Sequence, residues 1–104
     1  MQKKNIFENI NVDKINEEFI EILRDKDVRI ERIVSNGQVS DEDFWYEQNE
    51  NEFVLLLEGE AILQFENKDV KLKKGDFIDI KSRQRHRIKY TSLDQPTIWL
   101  AIFY

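Results

Sequence analysis

The chain has 104 residues, 40% of them hydrophobic and 36% charged, which suits one domain with a core and a well-solvated surface. A formal net charge of −5 argues against general binding of nucleic acid or anionic membranes, because both require a basic face, and no apolar stretch is long enough to span a membrane. The absence of cysteine excludes disulfides, thiolate ligands and a cysteine nucleophile, and it favours a cytoplasmic location.

The first predicted element is an amphipathic helix over residues 11–26. Asn11 or Asp13 could cap its start. We therefore expect residues 1–27 to form an N-terminal segment whose helix packs on the domain that follows. The apolar residues that recur at helical spacing are Val12, Ile15, Phe19, Ile22 and Leu23.

Residues 28–104 consist of short apolar runs separated by turn residues. A hairpin is expected about Glu58-Gly59, and further turns at Asn67-Lys68 and Lys74-Gly75-Asp76. Short strands at this spacing, with no helix between them, predict an antiparallel sandwich or barrel. The predicted strands are residues 28–34, 52–57, 60–65, 70–72, 77–80, 86–91 and 97–104.

Two of these strands, residues 53–57 and 98–104, are apolar at successive positions and so present apolar side chains on both faces. In an antiparallel strand with one solvent-exposed face, apolar and polar residues should alternate. Both faces of these two strands must therefore be buried by other parts of the structure. The helix could cover part of this area. A second subunit could cover the rest, and we expect a homodimer.

Two segments, one with an acid and one with a histidine, have the spacing of known family motifs. Six residues separate Glu52 from Gly59, and His86, the only histidine, follows Gly75. These spacings resemble the two motifs of the cupin superfamily, and residues 44–61 are similar to a group of small stand-alone bacterial cupins. The resemblance covers residues 28–104. It implies an all-β, double-sheet, jelly-roll-like cupin barrel with a pocket at one mouth, here preceded by the N-terminal helix.

The resemblance also implies where a metal would bind. Many cupins hold Mn, Fe, Ni or Zn through three imidazoles and one carboxylate, which correspond here to His86, Glu52 and two further positions occupied by Tyr46 and Gln48. A phenol and an amide are poor substitutes for imidazole, so the metal motif is degraded. If a divalent metal binds, Gln48, Glu52 and His86 are the expected ligands.

The remaining predicted pocket residue is Tyr90. His86, Ile88 and Tyr90 alternate along one strand, so regular pleating turns all three towards the same side. The predicted pocket therefore contains Tyr46, Gln48, Glu52, His86 and Tyr90 as groups that bind a small-molecule ligand.

Three functions are compatible with this sequence. The first is a small-molecule binding protein with an incomplete metal site. The second is a divalent-metal-dependent cupin enzyme of the oxygenase, isomerase or decarboxylase type, and the third is a structural or interaction module. An acidic segment at residues 41–52 and a basic one at 71–89 either form complementary surfaces or recruit anions at the rim of the pocket.

Overall fold

The computed structural model describes all 104 residues and consists of eight β-strands without a helix. The prediction of an all-β fold is confirmed, and the prediction of an N-terminal helix is wrong. The strands are β1 Glu18–Asp25, β2 Val28–Ser35, β3 Glu52–Glu58, β4 Glu60–Phe65, β5 Asp69–Lys73, β6 Phe77–Ile80, β7 His86–Thr91 and β8 Thr97–Phe103.

The strands form two antiparallel sheets that face each other. The larger sheet has the order β1-β2-β8-β3-β6, and the smaller has the order β5-β4-β7. Alternate residues of both sheets point inward and form one apolar core. Its ten buried members are Val54, Leu56, Ala61, Leu63, Phe65, Leu72, Ile80, Trp99, Ala101 and Phe103.

The predicted helix is replaced by β1, an edge strand paired with β2. A β-bulge between Glu21 and Leu23 interrupts the alternation of this strand, so its apolar residues adopt a spacing that resembles a helix. The turn into β2 is Lys26-Asp27, which lacks the glycine that two-residue hairpin turns usually contain, and Lys26 adopts a φ of 53°. Asp13 does accept bonds from the backbone N–H groups of Ile15 and Asn16, but this cap is a local turn with no helix after it.

The hairpin expected about Gly59 is also wrong. Strand β3 pairs with β6 and β8, whereas β4 pairs with β5 and β7, so the chain crosses from one sheet to the other at Gly59. Gly59 has a φ of 87°, which only glycine adopts without strain. The turn between β3 and β4 thus closes one end of the barrel and leaves the start of β3 at the other end.

Candidate functional site

A cavity lies between the sheets at the end of the barrel where β3 and β7 begin. The cavity has a volume of about 90 Å³, which is room for several waters or a small organic group. Nine of its thirteen lining residues are hydrophobic, so the polar groups are few. The lining consists of Glu17, Phe19, Ile33, Tyr46, Gln48, Glu52, Val54, Leu63, Ile80, His86, Ile88, Trp99 and Phe103.

Glu52 and His86 reach this cavity from opposite sheets. Glu52 is the first residue of β3, between Ile80 and Phe103 on the neighbouring strands. His86 is the first residue of β7 and pairs with Phe65 and, through an isolated bridge, with Tyr46. Because both lie at the starts of strands on inward-facing positions, the two side chains meet across the barrel.

The two ring nitrogens of His86 have different partners. Nδ1 lies 3.0 Å from the carbonyl oxygen of Gln84, which can only accept, so Nδ1 carries a proton. Nε2 lies 3.5 Å from Oε1 of Glu52, and the two side chains are only 5% and 12% exposed. Burial lowers the pKa of His86, but Glu52 and the Gln84 carbonyl oppose it and the net pKa is raised. The arrangement favours an imidazolium facing a carboxylate.

Gln48 and Tyr46 complete the polar end of the cavity. The Gln48 amide donates to Oε1 of Glu52 at 2.9 Å, and the Tyr46 ring stacks on His86 with centroids 5.4 Å apart. Burial, followed by the charges of Glu17, Glu52 and Asp41, raises the pKa of Tyr46. Tyr46 is therefore a neutral phenol that can donate a hydrogen bond to a ligand.

Tyr90 does not line the cavity with the other four predicted pocket residues. A β-bulge in β7 places Leu63 opposite Ile88 but Ile62 opposite Tyr90, so one extra residue reverses the side to which Tyr90 points. Tyr90 is 38% exposed and is absent from the cavity wall. The sequence of β7 alternates regularly and gives no sign of this bulge, so the argument from strand alternation fails for Tyr90.

Glu17 is a cavity residue that the sequence analysis missed. It precedes β1 and reaches the mouth of the cavity, where its carboxyl group accepts a hydrogen bond from the Ser35 hydroxyl. The Trp99 indole donates in turn to that hydroxyl at 3.2 Å. Burial raises the pKa of Glu17, and the Ser35 bond only partly opposes it. The prediction of a helix over residues 11–26 gave no reason to place Glu17 in the pocket.

The arginines of the basic segment have partners outside the cavity. Arg83 bonds to Glu47 and Asn49, and Arg85 forms ion pairs with Glu47 and Glu66. Arg87 donates to the carbonyl oxygens of residues 40 and 41. These contacts favour the interpretation of the acidic and basic segments as complementary surfaces, and no lysine or arginine lines the cavity.

The donor set fits a transition metal poorly. Nowhere in the protein do three or more His, Cys, Asp or Glu side chains converge as a metal-binding group. The cavity provides one imidazole and two carboxylates: His86 already faces Glu52, which the Gln48 amide also binds, and Glu17 is bonded to the Ser35 hydroxyl. Transition metals bind best to several imidazole or thiolate donors, which this site lacks.

The fold and the site together define a double-sheet β-barrel with a small, mostly apolar cavity at one mouth. Residues 32–103 match the family model described as "Cupin domain". Because this match covers most of the chain, the protein belongs to the cupin family.

Solved structures agree with this assignment. The chain is 33% identical to a "putative mannose-6-phosphate isomerase" from Ralstonia eutropha JMP134, with a TM-score of 0.94 over 99% of this chain and 97% of that chain. A cupin superfamily protein from Desulfitobacterium hafniense DCB-2 is 18% identical, with a TM-score of 0.75 over 90% and 82% of the two chains. A protein from Thermus thermophilus is 14% identical, with a TM-score of 0.82 over 99% and 96%. These last two show a shared fold only. No curated protein matches the chain.

Proposed function

We propose that this cupin binds a small organic molecule in the cavity between its sheets. One observation carries the proposal: an apolar cavity ends in a compact set of hydrogen-bonding groups, formed by Glu52, His86, Gln48 and Tyr46. Ligand pockets have this general composition, with apolar walls that bury the ligand and a few polar groups that orient it.

The enzyme alternative has less support. A divalent-metal centre would have to break the Glu52–His86 contact and use Gln48 as a third ligand, and the amide is a weak donor. The name of the Ralstonia relative suggests sugar-phosphate isomerisation as one such reaction. A phosphate normally requires arginine, lysine or a cradle of backbone N–H groups, and His86 is the only cationic side chain of the cavity. Binding without metal is the function that these residues support best.

The ligand proposal can be tested with three probes of similar size: benzylammonium, benzyl alcohol and benzoate. We expect at least one of them to shift the ring resonances of His86 and to raise the melting temperature. Replacing Ile33 by Trp, which fills the mouth of the cavity, should abolish both effects. Because His86 is the only histidine, its resonances report on this site alone.

Metal analysis separates binding from the enzyme alternative. Protein purified without chelator should contain well under one equivalent of Mn, Fe, Ni or Zn per chain, in the wild type and in His86→Ala alike. Near one equivalent in the wild type, lost in the variant, would favour the metalloenzyme. Failure of all three probes to affect His86 would contradict the binding proposal.

We propose further that the protein forms a homodimer through the outer face of the larger sheet. Side chains that alternate with the core residues point away from the barrel, and most are apolar. Phe53 and Phe77 lie 5.3 Å apart on this face, and Phe77 is 65% exposed. The other apolar members, aligned by strand pairing, are Ile20, Leu23, Ile30, Leu55, Leu100 and Ile102.

A second copy of the chain suits this face because the charged side chains of its central part, Arg32 and Asp79, are paired within the chain. Arg32 is buried and paired with Glu18, and Asp79 is bound by Lys81 and Tyr104. Two such faces can pack about a two-fold axis, sheet on sheet, without opposing like charges. The proposed contact would also supply the second cover that β3 and β8 require.

Sedimentation equilibrium at micromolar concentration tests the dimer. We expect a dimer for the wild type and a folded monomer for Phe77→Asp, because a carboxylate would be buried without a partner at the contact. Leu93→Asp is the matched control, since Leu93 is 78% exposed in the loop before β8 and should leave the dimer intact. A monomeric wild type, or a Phe77→Asp dimer of unchanged stability, would contradict the proposal.

The absence of cysteine is consistent with the proposed cytoplasmic location, which is a reducing compartment. The structure has no helix that could span a membrane.

A further inference from the structure

Glu17 is an acid in the cavity wall without a cationic partner. Its carboxyl group bonds to the Ser35 hydroxyl, and neither a lysine nor an arginine nor His86 contributes to its environment. The groups that hold it are themselves fixed, since Ser35 is fully buried and Trp99 is 3% exposed. Glu17 is therefore a positioned acid whose charge is not compensated within the protein.

Glu52, the other acid of the cavity, is in a different situation. It faces His86 and accepts a bond from Gln48, so its charge is already balanced. With Glu52 and His86 cancelling, Glu17 decides the net charge of the cavity.

The wall near Glu17 is apolar and aromatic. Phe19, Ile33, Trp99 and Phe103 line the same cavity, and Ile33 pairs directly with Phe19 and with Trp99 on the adjacent strands. Aromatic faces attract cations, and Glu17, a partly buried carboxylate without a cationic partner, can stabilise a cation beside it. An anion would meet neither a lysine nor an arginine in this cavity.

We infer that the cavity selects a small organic cation, an amine with an apolar body, whose ammonium group pairs with Glu17 while its body lies against the aromatic wall. This inference rests on the proposed function and adds the chemical class of the ligand. It also assigns to Glu17, a residue outside the cupin motifs quoted above, the role of determining specificity.

The three probes named above test the inference when their affinities are measured by isothermal titration calorimetry. Benzylammonium should bind about tenfold more tightly than benzyl alcohol, as expected for one charge-assisted hydrogen bond, and benzoate should bind most weakly. Glu17→Gln keeps an acceptor for the Ser35 hydroxyl but removes the charge, so it should abolish the preference for benzylammonium over benzyl alcohol. Glu21→Gln, an exposed acid of β1 paired with Arg24, is the matched control and should behave as the wild type.

The outcomes distinguish the two proposals. If none of the probes binds, the proposed function fails and the inference fails with it. If benzyl alcohol or benzoate binds as well as benzylammonium, the cavity is a ligand site but the cation inference is overturned. A benzylammonium preference that persists in Glu17→Gln would also overturn it, because the selecting group would then be another residue.

Discussion

Gly59→Ala is expected to destabilise the protein by about 3 kcal/mol or more, whereas Gly75→Ala should cost only about 1–2 kcal/mol. Both glycines have a positive φ, 87° and 90°, so the backbone penalty for a side chain is similar. The surroundings differ. A Cβ on Gly59 would lie 2.7 Å from Cα of Thr97 and 2.9 Å from the carbonyl oxygen of Pro96, and neither backbone atom can move freely, whereas a Cβ on Gly75 meets nothing within 4 Å.

Urea denaturation of the two variants measures this difference, and Gly75→Ala serves as the control for the backbone term alone. The excess cost at Gly59 reports how tightly the β3–β4 crossover packs on the start of β8. Equal losses of stability in the two variants would show that β8 yields at this point, and the close approach would then not explain why glycine is required.

Most of the barrel could be predicted from the sequence because its strands are short, apolar and separated by turn residues. The errors occur where the backbone departs from a regular strand. The bulge in β1 gave Phe19, Ile22 and Leu23 a helical spacing, whereas backbone pairing with β2 makes this segment a strand although its side chains stay largely exposed. The connection at Gly59 has the glycine of a hairpin, but pairing with more distant strands separates β3 from β4.

The residues of the candidate site also separate into those that the sequence predicts and those that depend on irregular backbone. Glu52 and His86 could be found because the motif spacing fixes them at the starts of β3 and β7, and Tyr46 and Gln48 because they lie at motif positions in the segment just before β3. Tyr90 was misplaced by a single bulged residue in β7. Glu17 was missed for a further reason, because its role depends on a tertiary contact with Ser35, eighteen residues later. A periodic pattern predicts which side of an element is buried but not which irregular segment completes a cavity.

Glu52→Gln is expected to lower the pKa of His86 and to cost about 2 kcal/mol of stability at slightly acid pH, where the imidazolium loses a buried charged partner. In the wild type the folded-state pKa of His86 lies above its ordinary value of 6.5. The pair therefore contributes its full stability below about pH 6.5, and the contribution is lost as the pH rises through the raised folded-state pKa. In Glu52→Gln, burial acts on His86 with only the Gln84 carbonyl opposing it, so this loss of stability with rising pH should disappear or reverse.

Two measurements check this expectation on the same samples: NMR titration of the His86 ring protons and urea denaturation from about pH 5 to about pH 9. Glu50→Gln is the matched control, because Glu50 pairs with Arg29 rather than with the imidazole and should leave the titration unchanged. An unaltered His86 pKa in Glu52→Gln would mean that the 3.5 Å contact is not what holds the proton. A lowered pKa with unchanged stability at about pH 5 would mean that the lost pairing is offset there by no longer burying the Glu52 carboxylate, because linkage requires the pH dependence to change with the pKa. A lowered His86 pKa together with lower stability at acid pH would show that Glu52 and His86 form a coupled acid–base pair that stabilises the barrel. Their charges would then balance, and Glu17 would set the charge of the cavity.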